Sequence, residues 1–355
     1  MSLQPDLRSR SREGISAYFA HFGESECPRI DGHIYRELCR VVCNEPDLLD
    51  MAAHAPANQP PPNLLFASVH RLLLGGEMHP LRQWYPELAD GEPKPIASIG
   101  PAFIDFCRLH RSRIEELIRT RMTQTNVIRR CSALLPGMGR VFEAGGKKPL
   151  SLIEIGCSAG LNLNWDRFRF DYGDGASWGD SSSGVVVDCE VRGERGGPLP
   201  KGGIPVADRR GIDLHPIDIQ DPEEELWLRA LIFPDHPGRQ ERLTGAMLVA
   251  REFAPRVEQG DASVDLPRLL EAAPDETTLC VYGSFTFYQF PKDKLKATLK
   301  AMQTASQRRE IHFLSMESFD PPEVELRWTR YREGDRDLRM LARCCPHGRW
   351  LEWAE

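Results

Sequence analysis

Apolar residues over the first 148 positions recur at helical spacing. Ile15, Tyr18, Phe19 and Phe22 form one stripe, and Ile34, Leu38, Val41 and Val42 form another that closes near Asn44-Glu45-Pro46. Gln59-Pro60-Pro61-Pro62-Asn63 reads as a stiff loop, and Leu64 to Leu74 as a helix stopped by Gly75-Gly76. Pro93-Lys94-Pro95 marks a further break. Between Gly100 and Met122, the positions Phe103, Phe106, Leu109, Ile114, Leu117 and Ile118 predict one amphipathic helix. Another is expected from Asn126 to Leu135, ending at Pro136-Gly137. Gly145-Gly146-Lys147-Lys148-Pro149 then reads as a boundary.

The period changes at residue 150. Leu150 to Ile155 is a short apolar run of strand type, followed by a glycine-bearing turn and an apolar stretch expected to be helical. About forty irregular residues follow, with Gly/Ser-rich loops at Ser177 to Gly184 and Arg192 to Gly203 and a hairpin expected at Val185 to Val191. Strands are then predicted at Arg210 to Leu214, Pro255 to Ala262, Thr278 to Gly283 and Ile311 to Met316. Helices are predicted at Glu223 to Ile232, Leu266 to Ala272 and Lys292 to Met302. Leu338 to Arg343 and Arg349 to Trp353 flank the turn Cys344-Cys345-Pro346-His347-Gly348 and read as an antiparallel hairpin. Strands alternating with helices imply parallel βαβ units. The expected architecture is therefore an α/β, doubly wound, mostly parallel Rossmann-like sheet with an antiparallel terminal hairpin. An all-helical subdomain at 1–148 would cap it, and the sheet domain at 149–355 would carry an insertion at about 166–208.

Composition narrows the function classes. The chain has 355 residues, with 45 Lys+Arg against 52 Asp+Glu and a net charge of −7. That balance gives no global attraction to nucleic acid or anionic membranes. No run reaches the ~18 consecutive apolar residues of a membrane span. Met1 to Gly14 is polar and arginine-rich, without the apolar core of a secretory leader. The ten cysteines form no CxxC pair, and several lie inside apolar runs, so free structural thiols, no metal site and a cytoplasmic location are expected. The histidines at 33, 70, 79 and 110 show no convincing ligand spacing. The run Arg108, Arg111, Arg113, Arg119, Arg121 is interleaved with Glu115 and Glu116, as on a salt-bridged helix face.

The sharpest motif is Glu154-Ile155-Gly156-Cys157-Ser158-Ala159-Gly160-Leu161 at the end of the first strand. Two chemistries compete for it. Small residues at alternate positions, Gly156, Ser158 and Gly160, permit left-handed backbone and close approach of a ligand. With no phosphate to cradle, the acid at Glu154 suits a cationic amine. So read, the segment resembles the first motif of class I S-adenosylmethionine-dependent methyltransferases, with Ser at the middle glycine position. Alternatively, Gly156 to Gly160 matches G-x-S-x-G, the nucleophile elbow of serine hydrolases, with Ser158 as nucleophile, Asp261 or Asp320 as acid and His347 as base. A purely structural tight turn is the third possibility.

Acids follow at successive strand ends. Asp213 ends the second strand, where a carboxylate can accept both ribose hydroxyls, and Asp261 ends the third. In class I methyltransferases an acid at the third strand commonly meets the adenine amino group. Either acid could equally start a turn or cap a helix. The fourth strand runs into Ser284-Phe285-Thr286-Phe287-Tyr288, an aromatic loop that could wall off a methyl donor or stack a planar substrate. The amine-methylating Asn/Asp-Pro-Pro-aromatic signature is absent. Several strings narrow the resemblance further: Leu64 to His70, Gln124-Thr125-Asn126, Cys131 to Pro136, Ser158 to Leu163 with Trp165-Asp166-Arg167, and Gly211 to Pro216. They are similar to one bacterial domain-of-unknown-function family, over about residues 15–355. That resemblance implies a methyltransferase-like domain behind a helical region; it supplies no reaction.

The expectation is a methyltransferase acting on a small molecule, with no nucleic acid or membrane partner. S-adenosylmethionine would lie across Glu154, Gly156, Ser158 and Gly160, with Asp213 on the ribose and Asp261 near the adenine. Asn126, Asn162, Asp166, Ser284 and Tyr288 would face the acceptor. A serine hydrolase or a non-catalytic binding protein of the same fold are the alternatives.

Overall fold

A computed structural model describes residues 9–193, 199–320 and 323–354. Part of the Arg192 to Gly203 loop, 194–198, lies outside them. The helices in chain order are α1 (Arg12–His21), α2 (His33–Cys43), α3 (Pro46–Ala52), α4 (Pro61–Leu74), α5 (Gly100–Leu109), α6 (Arg111–Thr120), α7 (Cys131–Ala144), α8 (Pro222–Ala230), α9 (Pro237–Glu252), α10 (Ala262–Glu271) and α11 (Lys292–Ala305). The strands are β1 (Leu150–Ile155), β2 (Arg169–Asp171), β3 (Ser177–Gly179), β4 (Val186–Asp188), β5 (Glu190–Arg192), β6 (Val206–Asp213), β7 (Arg256–Gln259), β8 (Thr278–Ser284), β9 (Ile311–Asp320), β10 (Glu323–Arg332), β11 (Asp335–Cys344) and β12 (Trp350–Trp353). The chain divides into two compact units, one of Met1–Thr125 with Gln220–Glu241, the other of Asn126–Ile219 with Arg242–Glu355.

The first unit is helical. Phe66 of α4 packs with Phe19, Tyr35 and Phe103 at ring-centroid distances of 5.6, 4.7 and 6.0 Å. Trp227, Leu231 and Phe233 join the same buried cluster, which ties the 220–241 segment to this unit. Pro61 and Pro62, expected in a loop, form the first turn of α4, where a missing N–H leaves no hydrogen bond unmade. The helix expected from Gly100 to Met122 is two helices, broken at His110.

The second unit is α/β. Its nine-stranded sheet has the order β5-β12-β11-β10-β9-β8-β1-β6-β7. From β7 through β6, β1 and β8 to β9 all neighbours are parallel, and β9 to β12 form an antiparallel meander. The chain moves outward from β1 to β6 and β7, then returns to lay β8 and β9 on the other side of β1. Strand order therefore reverses between β1 and β8. One face carries α10 and α11, whose Leu266, Leu269 and Met302 are buried with Ile153, Ile155, Val281 and Phe313. The other carries α7, with Met138 Sδ 3.8 Å from Cys280 Sγ. A doubly wound sheet results.

Three local expectations are corrected. The helix beginning after Asn126 does not stop at Pro136: α7 runs through it. A helical proline leaves the carbonyl four residues earlier without its amide, and here the Tyr172 hydroxyl donates to that carbonyl, Ser132 O, at 2.7 Å. The apolar stretch after β1 is a 3₁₀ segment, Leu161–Arg167, kinked at Asn164. The hairpin expected at Val185 to Val191 does not form, because the chain passes from one sheet to the other. The Cys189 amide donates to Asp171 O and the Glu190 amide to Arg349 O, so β4 pairs with β2 and β5 with β12. A further strand, β10, buries Val324, Leu326 and Trp328 at alternate positions, a period-two pattern present in its sequence.

Among the described residues no helix is long and apolar enough to cross a membrane. All ten cysteines are free thiols, nine of them buried.

Candidate functional site

The turn after β1 is held in left-handed backbone at all three small positions: φ is 70° at Gly156, 55° at Ser158 and 70° at Gly160. A side chain at Gly156 would run into Thr286, and a Cβ at Gly160 would come within 2.5 Å of Val257. These glycines are thus required by the protein's own packing across β1, β7 and the loop after β8. Ser158 is 3 % exposed, and its Oγ is buried with no hydrogen-bond partner among the described residues. No base therefore reaches it. The backbone is clamped from two sides. Asn126 donates from Nδ2 to Cys157 O at 3.1 Å and accepts the Ala159 amide at 2.9 Å. Asp213 Oδ2 accepts the Ser158 amide at 2.8 Å, while its Oδ1 accepts the His215 amide at 2.9 Å.

Asp213 thus sits beside the turn at the end of β6, with its carboxylate fastening β6 to β1. Asp261 is the N-cap of α10: Oδ1 accepts the Ser263 amide at 2.9 Å, and Oδ2 meets Lys294 Nζ at 2.5 Å. Lys294 and Ser263 hold that carboxyl below its usual range. Glu154 is 2 % exposed rather than open to a cationic ligand. It is the register partner of Tyr282 on β8, whose hydroxyl donates to Oε2 at 3.2 Å. Burial pushes its pKa up to about 8, against the pull of the Tyr282 bond, so it is largely protonated at neutral pH.

The carboxyl end of β9 holds a residue that sequence reasoning missed. Glu317 on β9 is 2 % exposed. Its Oε1 accepts the Thr286 and Phe287 amides at 2.7 and 3.0 Å, its Oε2 is buried without a partner, and burial raises its pKa. It fastens a strained turn, because Phe285 has φ 55°, an outlier for a bulky side chain. Arg130 lies against the same turn: its guanidinium is 4.3 Å from the Phe285 ring, Nε donates to Pro346 O at 3.0 Å and Nη1 to Ser284 O at 3.4 Å. Glu317 carried no sequence signal beyond an acid in an apolar strand. Arg130 belongs to the polar segment Gln124-Thr125-Asn126 with Arg129-Arg130, which as a sequence reads either as a helix cap with a solvated face or as a polar wall of the cleft.

The segment 126–132 therefore runs along the strand ends, touching the β1 turn through Asn126, the β8 end through Arg130 and the β11–β12 turn through Ser132, whose Oγ donates to Gly348 O at 2.9 Å. The remaining candidates scatter. Asn162 accepts the Cys131 thiol at 3.4 Å inside the unit. Asp166 pairs with Arg209 at 2.5 Å. Its neighbour Arg167 covers the Phe253 ring at 3.4 Å. Ser284 lends its backbone carbonyl to Arg130, and Tyr288 is 67 % exposed. The Asp320 side chain lies outside the described residues. In the helical unit, His70 has both ring nitrogens engaged, with Glu87 at 2.6 Å and Ala230 O at 3.1 Å, an arrangement that anchors packing.

Glu154, Ser158, Thr286 and Glu317 thus lie at one edge of a doubly wound, Rossmann-like sheet, where strand order reverses. This is the place at which open α/β sheets bind ligands. The chain belongs to a bacterial family described as "Uncharacterized protein conserved in bacteria (DUF2332)", whose model matches residues 16–353. Neither a curated protein nor a solved structure matches it.

Proposed function

We propose that the α/β unit binds S-adenosylmethionine at the carboxyl ends of β1, β6 and β7, and that the protein transfers a methyl group to a small-molecule acceptor. The observation that carries this reading is the left-handed turn at Gly156, Ser158 and Gly160, at the reversal of a sheet ordered β7-β6-β1-β8-β9. This parallel core is the arrangement expected from the resemblance to class I methyltransferases, with the antiparallel meander following it. Bound at the turn, the cofactor would supply an electrophilic methyl group. Ser158 and Gly160 would line its aminoacyl end, with Asp213 and Asp261 as the nearest strand-end carboxylates. Because both acids already hold protein donors, they act first as struts that fix the loops. Methyl transfer requires chiefly in-line positioning of the acceptor, which the braced loop at 284–288 would provide.

Calorimetry with S-adenosylmethionine and S-adenosylhomocysteine tests the reading. Binding of either in the micromolar range is expected, and silence from both at millimolar ligand ends it.

One observation favours the hydrolase alternative: Ser158 has the left-handed backbone of an exposed elbow. Its buried, unpartnered hydroxyl counts against that reading. Labelling by a fluorophosphonate that disappears in Ser158→Ala would reinstate it. Cofactor binding without turnover on any acceptor would favour the non-catalytic alternative.

A further inference from the structure

Several arginines near the strand ends are paired with carboxylates. Arg129 meets Asp188, Arg209 meets Asp166 at 2.5 Å and Arg210 meets Asp208 at 2.6 Å. Arg130, next in sequence to Arg129, has no carboxylate within ion-pair distance among the described residues. Its neighbours are neutral: two backbone carbonyls and the face of Phe285. Glu317 is the carboxyl whose charge it feels most, but that group is spent on the Thr286 and Phe287 amides. Burial with so little compensation lowers the Arg130 pKa to about 10.

The guanidinium is also held still. Pro346 O fixes Nε, Ser284 O fixes Nη1 and the Phe285 ring fixes the plane, whereas Nη2 donates to no described residue. Phe285 is itself kept in left-handed backbone by its amide bond to Met316 O at 2.9 Å and by Glu317 on the two following amides. A half-buried, pre-oriented fork of N–H donors is the standard receptor for a planar oxyanion. We infer that Arg130 binds a carboxylate on the ligand of this strand-end site. The inference deepens the function proposed above and rests on that edge being the ligand site. The carboxylate has two possible sources, the methyl acceptor or the aminoacyl end of the cofactor.

The test is calorimetry at fixed ionic strength on the full chain, wild type and Arg130→Gln. The probes are succinate against neutral succinamide, inorganic phosphate, and S-adenosylhomocysteine against 5′-methylthioadenosine, which lacks the aminoacyl carboxylate. Wild type should prefer succinate to succinamide, and Arg130→Gln should lose about tenfold or more of affinity for the carboxylate probe. A loss for S-adenosylhomocysteine but not methylthioadenosine assigns the carboxylate to the cofactor. A loss for succinate alone assigns it to the acceptor. If succinate discrimination stands while neither nucleoside binds, the cofactor reading falls and the Arg130 assignment survives. If no probe distinguishes the variant from wild type, the assignment is overturned. Should Arg130→Gln fail to fold, phenylglyoxal mapping of the wild type decides. Protection of Arg130 by succinate and not by succinamide supports the site, and equal modification under both overturns it.

Discussion

The two units bury their polar groups differently. In the helical unit the central polar side chain, His70, has a partner at each ring nitrogen, and the surface charges pair with one another, as Arg108 does with Glu45 and Asp47. The hydroxyls of Tyr35 and Tyr85, buried there without partners, lie among apolar core residues. In the α/β unit, buried polar groups are more numerous, and two carboxyls and a hydroxyl lie at the carboxyl ends of the central strands. Glu154, Ser158 and Glu317 are each no more than 3 % exposed, and Ser158 Oγ and Glu317 Oε2 lack partners. The same edge holds two non-glycine residues in left-handed backbone, Ser158 and Phe285. Such strain costs about 1–3 kcal/mol per residue and persists only where surrounding bonds over-determine it. Here Asn126, Asp213 and Glu317 supply those bonds. The helical unit is thus an apolar packing problem solved by close contact, whereas the sheet edge holds left-handed backbone that side-chain hydrogen bonds from distant positions keep in place.

The largest effect should come from the helical core. Phe66→Ala, which empties a site lined by three aromatic rings, should cost about 3–5 kcal/mol in urea unfolding. Next is the turn: Gly156→Ala adds a methyl against Thr286 in backbone that disfavours it, for an expected loss of about 2–5 kcal/mol. A loss below about 1 kcal/mol would mean that the edge relaxes freely and is not over-determined. Third is a pH effect confined to the sheet unit. The Glu154 carboxyl ionises near 4.5 in the unfolded chain and near 8 when folded. The folded state holds the extra proton between those values, so its contribution to stability is full below pH 4.5 and is lost as pH rises to about 8. Glu154→Gln removes that dependence. Its stability relative to wild type should therefore rise by up to about 1.4 kcal/mol per pH unit through the window, and a flat difference would remove the buried-acid assignment. The smallest effect should come from Arg108→Ala on the helical surface, under about 1 kcal/mol.

Much of the scaffold was legible in the pattern of apolar positions. β1 begins and ends where Leu150 to Ile155 predicted, and β8 and β9 fall on their apolar runs, because short parallel strands buried on both faces are continuous apolar segments. The turn at Gly156 to Gly160 was legible because only small residues tolerate its backbone. Pro136 misled because its effect on α7 depends on Tyr172, a residue 36 positions away. The role of Glu317 and the partners of Arg130 were hidden for the same reason.

By itself the sequence determined the helical region, the alternation of strands and helices, and the residues at the strand ends, since these depend on period, backbone permission and neighbours close in the chain. Only the tertiary structure decided what those residues do. Asp213 and Asn126 brace the Ser158 turn, Glu154 is buried against Tyr282, and Arg130 has no carboxylate at ion-pair distance among the described residues. A side chain's charge state and remaining hydrogen-bonding capacity are set by groups that the fold brings together from distant positions.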